Sequence, residues 1–86
     1  MTGAPLRYIG DISREDARLL ARFAAGARRI LEFGAGASTH VLAQSAPTGA
    51  ELVTVETKQE WIERTRRNLI RLGIARQVQL GLRVVF

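Results

Sequence analysis

Arg29-Ile30-Leu31-Glu32-Phe33-Gly34-Ala35-Gly36-Ala37-Ser38-Thr39 is the stretch on which the fold turns. Its first five residues are a short, mostly apolar run that stops at a glycine, the pattern of a buried strand. Gly34 and Gly36 then allow a sharp turn with no side chain in the way of a ligand. Ser38 or Thr39 is expected to cap the helix that follows, which carries Val41, Leu42 and Ala43. Pro47, Thr48 and Gly49 break that helix.

Upstream, residues 1–12 hold Gly3, Pro5 and Gly10 and form an irregular lead-in. Ser13 with Asp16 makes an approximate capping box. Ala17, Leu20, Ala21 and Ala24 then share a helix face, opposite Glu15, Arg18 and Arg22, and Gly26 is a plausible stop. Downstream, Leu52-Val53-Thr54-Val55 is a β-branched strand ending at Glu56. Thr57 and Glu60 have capping-box spacing for a helix whose Trp61, Ile62, Thr65, Leu69 and Leu72 fall in one arc. Arg64, Arg67 and Arg71 lie opposite, with Glu60–Arg64 and Glu63–Arg67 at ion-pair spacing. Gly73 ends this helix, and Val78 to Phe86 is a third strand with Gly81 as a candidate bulge.

The order is helix, then β-α-β-α-β, which implies a parallel sheet with right-handed crossovers. The expected fold is α/β, a Rossmann-like three-layer partial domain over residues 13–86, with ligands at the carboxyl ends of its strands.

Composition narrows the function classes. The 86 residues carry a net charge of +5, with Lys58 the one lysine, and no cysteine. Absence of cysteine excludes disulfides and thiolate metal sites and suits a reducing cytoplasm. No apolar run has membrane-spanning length, and residues 1–10 lack the apolar segment of a secretory signal. The arginines are scattered and lack interleaved aromatics, so they suit solvated helix faces better than a nucleic-acid groove. A basic nucleic-acid module using Arg64, Arg67 and Arg71 remains an alternative, marked by steep salt dependence.

The chemically loaded residues gather at the strand ends. Glu32, the glycine turn and Glu56, twenty residues past Gly36, suit a nucleoside ligand. Glycines permit close approach, the helix start offers free N–H groups, and an acid at the end of the second strand can accept from both ribose hydroxyls. A dinucleotide-binding G-x-G-x-x-G would need glycine where Thr39 stands, so an NAD(P)-binding oxidoreductase fragment is the weaker alternative. Glu32 two residues before Gly34 resembles the first motif of the class I S-adenosylmethionine-dependent methyltransferases. A carboxylate there would repel a pyrophosphate but attract the ammonium and sulfonium of S-adenosylmethionine.

That resemblance, covering about residues 28–86, implies roles. Glu32 would help hold the amino-acid end of the cofactor, Gly34 and Gly36 would let it pass, Ser38 and Thr39 would donate hydrogen bonds, and Glu56 would hold the ribose. Thr57 departs from the apolar residue frequent in the family against adenine. Trp61 is expected in the core, and His40, the single histidine, on a partly exposed helix surface. The family's sheet has seven strands, with the fourth beside the first. The sequence reaches only the third, so the chain is expected to be a truncated half, not catalytically competent alone and with an unreadable methyl acceptor. Strand 29–33 would then be an open apolar edge, prone to self-association or to a partner chain.

Overall fold

The computed structural model describes residues 5–74 and 79–84. The elements run α1 (Arg14–Ala24), β1 (Arg29–Phe33), α2 (Ala37–Ser45), β2 (Glu51–Glu56), α3 (Gln59–Leu72) and β3 (Gln79–Val84). The three strands are parallel in the order β1-β2-β3. The α/β, Rossmann-like partial domain expected from the sequence is present.

Alternation along the strands decides what is buried. Ile30, Glu32, Leu52 and Thr54 point to one face, and Leu52 and Thr54 are fully buried there. Against that face pack Leu20 and Ala24 of α1, Leu42 and Ala43 of α2, and Leu69 and Leu72 of α3. All three helices therefore cover the same side. Each fully buried Leu52, Leu69 or Ile74 contributes about 1.5–3 kcal/mol by leaving water.

The opposite face overturns the expectation of a buried first strand. Leu31 is 61% exposed and Phe33 79%. A parallel strand is buried on both sides only when helices cover both faces. Among the described residues helices cover one, so two of the three expected layers are seen.

The caps also differ in detail. Ser13 caps α1 as expected, accepting from the Asp16 N–H at 3.0 Å. The residue that caps α2 is Gly36, and Thr39 reaches back to accept its N–H at 3.1 Å. Ser38 is not a cap. α3 starts after Lys58 with no side-chain cap, so the Thr57–Glu60 box does not form. The Glu56 carboxylate has taken the Thr57 and Lys58 N–H groups, and the Thr57 hydroxyl points back to it. Gly73 closes α3 as expected, left-handed at φ +73°, with the Ile74 N–H reaching the Leu69 carbonyl at 3.1 Å. Gly26 has no left-handed conformation; the chain leaves α1 through ordinary turns.

Gly81 makes no bulge. The register runs unbroken from Glu51↔Gln79 to Glu56↔Val84 and places Gly81 opposite Val53. Val78, Val85 and Phe86 lie outside the described residues. The expected Glu60–Arg64 and Glu63–Arg67 pairs are absent; the ion pair among the described residues is Arg29–Glu51 at 3.7 Å. No described helix is long and apolar enough to cross a membrane.

The lead-in is irregular but not loose. Arg7 and Gln44 exchange backbone-to-side-chain hydrogen bonds at 3.0 and 2.6 Å, and the Arg7 guanidinium donates to the Leu72 carbonyl at 2.7 Å. The segment thus bridges α2 and α3 like a strap.

Candidate functional site

The site begins where β1 ends. Gly34 holds φ +93°, a conformation that side chains rarely adopt, and turns the chain off the strand. A Cβ at Gly34 or Gly36 would meet nothing within 4 Å, so the turn borders open space on which a ligand can lie.

Glu32 sits beneath the turn, 8% exposed. Thr39 and Thr54 donate their hydroxyls to its Oε1 at 2.6 and 2.8 Å, and Ser38 donates to its Oε2. A buried carboxylate needs such donors, since taking a charge out of water is costly. Two elements supply them: Ser38 and Thr39 come from the first turn of α2 and Thr54 from β2, in register with Glu32. Ser38 and Thr39, expected to face a cofactor, spend their hydroxyl protons on Glu32.

Glu56 closes the other side. Its Oε1 accepts the Ala35 N–H at 3.0 Å, which ties the end of β2 to the glycine turn. Its Oε2 accepts from Thr57 N–H at 2.8 Å and Lys58 N–H at 3.1 Å. The Ala35 N–H holds this carboxyl below its usual value; burial opposes it, and the Lys58 and Thr57 donors add to the lowering. Glu56 is therefore ionised at neutral pH. Phe33, Gly34, Val55, Glu56 and Thr57 line an open cavity of about 280 Å³ at the strand ends.

The six residues singled out from sequence (Glu32, Gly34, Gly36, Ser38, Thr39 and Glu56) thus converge on one turn. Thr54 was missed, although β2 alternation puts it on the face of Leu52 and hence opposite Glu32.

Two neighbours depart from expectation. His40 is 1% exposed rather than partly solvated. Its Nδ1 accepts the Ile9 N–H at 3.2 Å, so the lead-in roofs the ring over. Burial lowers its pKa, and the neutral ring carries its proton on Nε2, which has no hydrogen-bond partner. Trp61 is 39% exposed and not in the core. It sits in the first turn of α3, at the border of the buried arc, and the Arg64 guanidinium stacks over it at 4.6 Å. Among the described residues no cluster of His, Asp or Glu could hold a metal ion.

Parallel strands, a glycine turn at the end of the first and an acid at the end of the second define a Rossmann-like fold. Solved structures narrow the class. The O-methyltransferase TomG from Streptomyces achromogenes, involved in tomaymycin synthesis and solved with S-adenosylmethionine, is 33% identical, with a TM-score of 0.71 over 84% of this chain and 34% of that one. A Bacillus cereus O-methyltransferase in complex with S-adenosylhomocysteine is 30% identical, at 0.70 over 84% and 34%. A methyltransferase-like protein from Silicibacter pomeroyi is 26% identical, at 0.69 over 90% and 39%. The chain spans about a third of the length of these structures. No family profile matches the sequence, and no curated protein does. The chain resembles the cofactor-binding portion of the class I S-adenosylmethionine-dependent methyltransferases, and its fold is a partial methyltransferase domain of that kind.

Proposed function

We propose that this chain binds S-adenosylmethionine at the carboxyl ends of β1 and β2, as the cofactor-binding part of a methyltransferase. The observation that carries this is the pair of carboxylates flanking one glycine turn: Glu32 beneath it, fixed by three hydroxyls, and Glu56 beside it, tied to Ala35. Such a cradle suits a cation and repels a pyrophosphate. Glu56 faces the open cavity, and its Oε1, which accepts only the Ala35 N–H, has a lone pair for a ribose hydroxyl, while the apolar edge of Phe33 and Val55 receives the base. Glu32 acts through the hydroxyls it orients more than by direct contact. The bound cofactor supplies an activated methyl group; the chain's own residues bind and orient it. The acceptor, its recognition and methyl transfer itself belong to the whole enzyme. A cysteine-free chain suits a cytoplasmic enzyme.

Titration calorimetry with S-adenosylhomocysteine tests the reading. Saturable heat is expected, with no heat from NADH. Glu56→Ala is expected to weaken binding by about tenfold or more, the worth of one or two hydrogen bonds to a charged group. Equal affinity in wild type and Glu56→Ala, or binding of NADH instead, refutes it. We also propose that β1, unpaired on its outer edge among the described residues and with Leu31 and Phe33 exposed, pairs with a second copy of the chain.

A further inference from the structure

A second cavity, about 530 Å³, lies between α2, α3 and the lead-in strap, on the helical side of the molecule. Its walls differ in chemistry from those of the strand-end cavity. His40 contributes an imidazole from α2, Trp61, Arg64 and Asn68 project from α3, and Ile9 and Ala37 add apolar surface. Two of these groups lack a hydrogen-bond or ion-pair partner among the described residues. His40 is 1% exposed, yet its Nε2 meets no acceptor. With Nδ1 occupied by the Ile9 N–H, that nitrogen carries the proton, and a buried donor left unpaired is costly. Arg64 has no carboxylate within ion-pair distance among the described residues and rests instead on the Trp61 ring. Asn68 is half-buried. The wall thus presents donors and a cation beside an indole, with Asp11 its one carboxylate. Asp11 and Arg64 form no ion pair, so the Arg64 guanidinium and the His40 Nε2 proton are the groups left to receive an anion.

The geometry points to a binding site, in this cavity, for a small aromatic carboxylate: a ring lying against Trp61 and the apolar wall, and a carboxylate paired with Arg64 and receiving the His40 Nε2 proton. An aromatic body fits the indole, and a planar two-oxygen acceptor matches a guanidinium fork. A compact phosphate would leave the indole and the apolar wall unused. Gly36 and Ser38, from the glycine turn and the start of α2, also line this cavity, but Trp61, Arg64 and Asn68 lie outside the turn and the Glu56 cavity, so variants of these three separate the site from the methyltransferase reading.

Trp61 is the single tryptophan, so its fluorescence reports on this site alone. The full chain is titrated with benzoate, and with benzyl alcohol as the neutral counterpart. Saturable quenching by benzoate is expected, with benzyl alcohol about tenfold weaker or more, the value of a charge-assisted hydrogen bond. Arg64→Gln, a change at an exposed side chain, is expected to weaken benzoate by a similar factor while leaving S-adenosylhomocysteine binding unchanged. In nitrogen NMR of the wild type, the His40 Nε2 resonance is expected to shift with the same saturation curve. Linear, unsaturable quenching by both compounds overturns the proposal. So does equal affinity for benzoate in wild type and Arg64→Gln, or a fixed His40 Nε2 resonance.

Discussion

Replacing Glu32 is the most informative single perturbation, because one side chain joins β1, β2 and α2. Glu32→Ala removes three hydroxyl-to-carboxylate hydrogen bonds. Bonds to a charged group are worth about 1.5–3 kcal/mol each. Part of that sum is returned, since the alanine chain no longer holds a carboxylate out of water, a cost of several kcal/mol. What is left behind is also costly. Thr39 and Thr54 are both 0% exposed, and an unpaired buried hydroxyl costs about 1–3 kcal/mol. The net destabilisation expected is about 2–4 kcal/mol, out of roughly 4–13 kcal/mol for a domain of this length. Glu32→Gln keeps the size and one acceptor for both threonines, and its amide can donate to the Ser38 oxygen; the expected loss is about 1 kcal/mol. Urea unfolding followed by circular dichroism measures both. Alanine and glutamine variants of equal stability would refute the hub, because the hydroxyls would then not depend on an acceptor at that point.

Four further outcomes follow from particular residues. Gly10 holds φ +133°, and a Cβ there would stand 3.0 Å from the Ala37 Cβ, so Gly10→Ala is expected to cost about 1–3 kcal/mol, with hydrogen exchange rising first at the Ile9 amide. Burial lowers the His40 pKa from its ordinary 6.5, so below that pH the unfolded chain binds a proton the folded chain resists. Stability should therefore fall as pH drops through 6.5 towards the folded value. His40→Gln, which still accepts the Ile9 N–H, should flatten that limb. Glu56, lowered from its own ordinary value, gives a separate loss at more acid pH. Phe33→Lys should abolish concentration-dependent association in sedimentation velocity without lowering the unfolding midpoint, because the ring is 79% exposed; unchanged association refutes pairing through β1.

Local signals alone determined much of this protein. β1 and the end of β2 at Glu56 were legible because apolar runs bounded by glycine and acid leave little choice of element. The Ser13 cap and the Gly73 stop were equally legible, since each depends on one residue's own hydrogen bonds or φ. The parallel order followed from alternation of strand and helix, and the convergence of Glu32, Gly34, Gly36 and Glu56 followed from that order. Tertiary structure decided the rest, because it depends on which face a neighbour covers. Leu31 and Phe33 look buried in sequence and stand exposed, since the helices share one side. His40 looks exposed and is buried, since Arg7 and Gln44 fasten the lead-in across α2 and bring the Ile9 N–H onto its ring. Thr57 has the spacing of a cap and does not serve as one, since Glu56 accepts the Thr57 N–H that Glu60 would have taken and turns the Thr57 hydroxyl back to itself. No periodicity in the chain records these outcomes, because each is a competition between groups that only folding brings together.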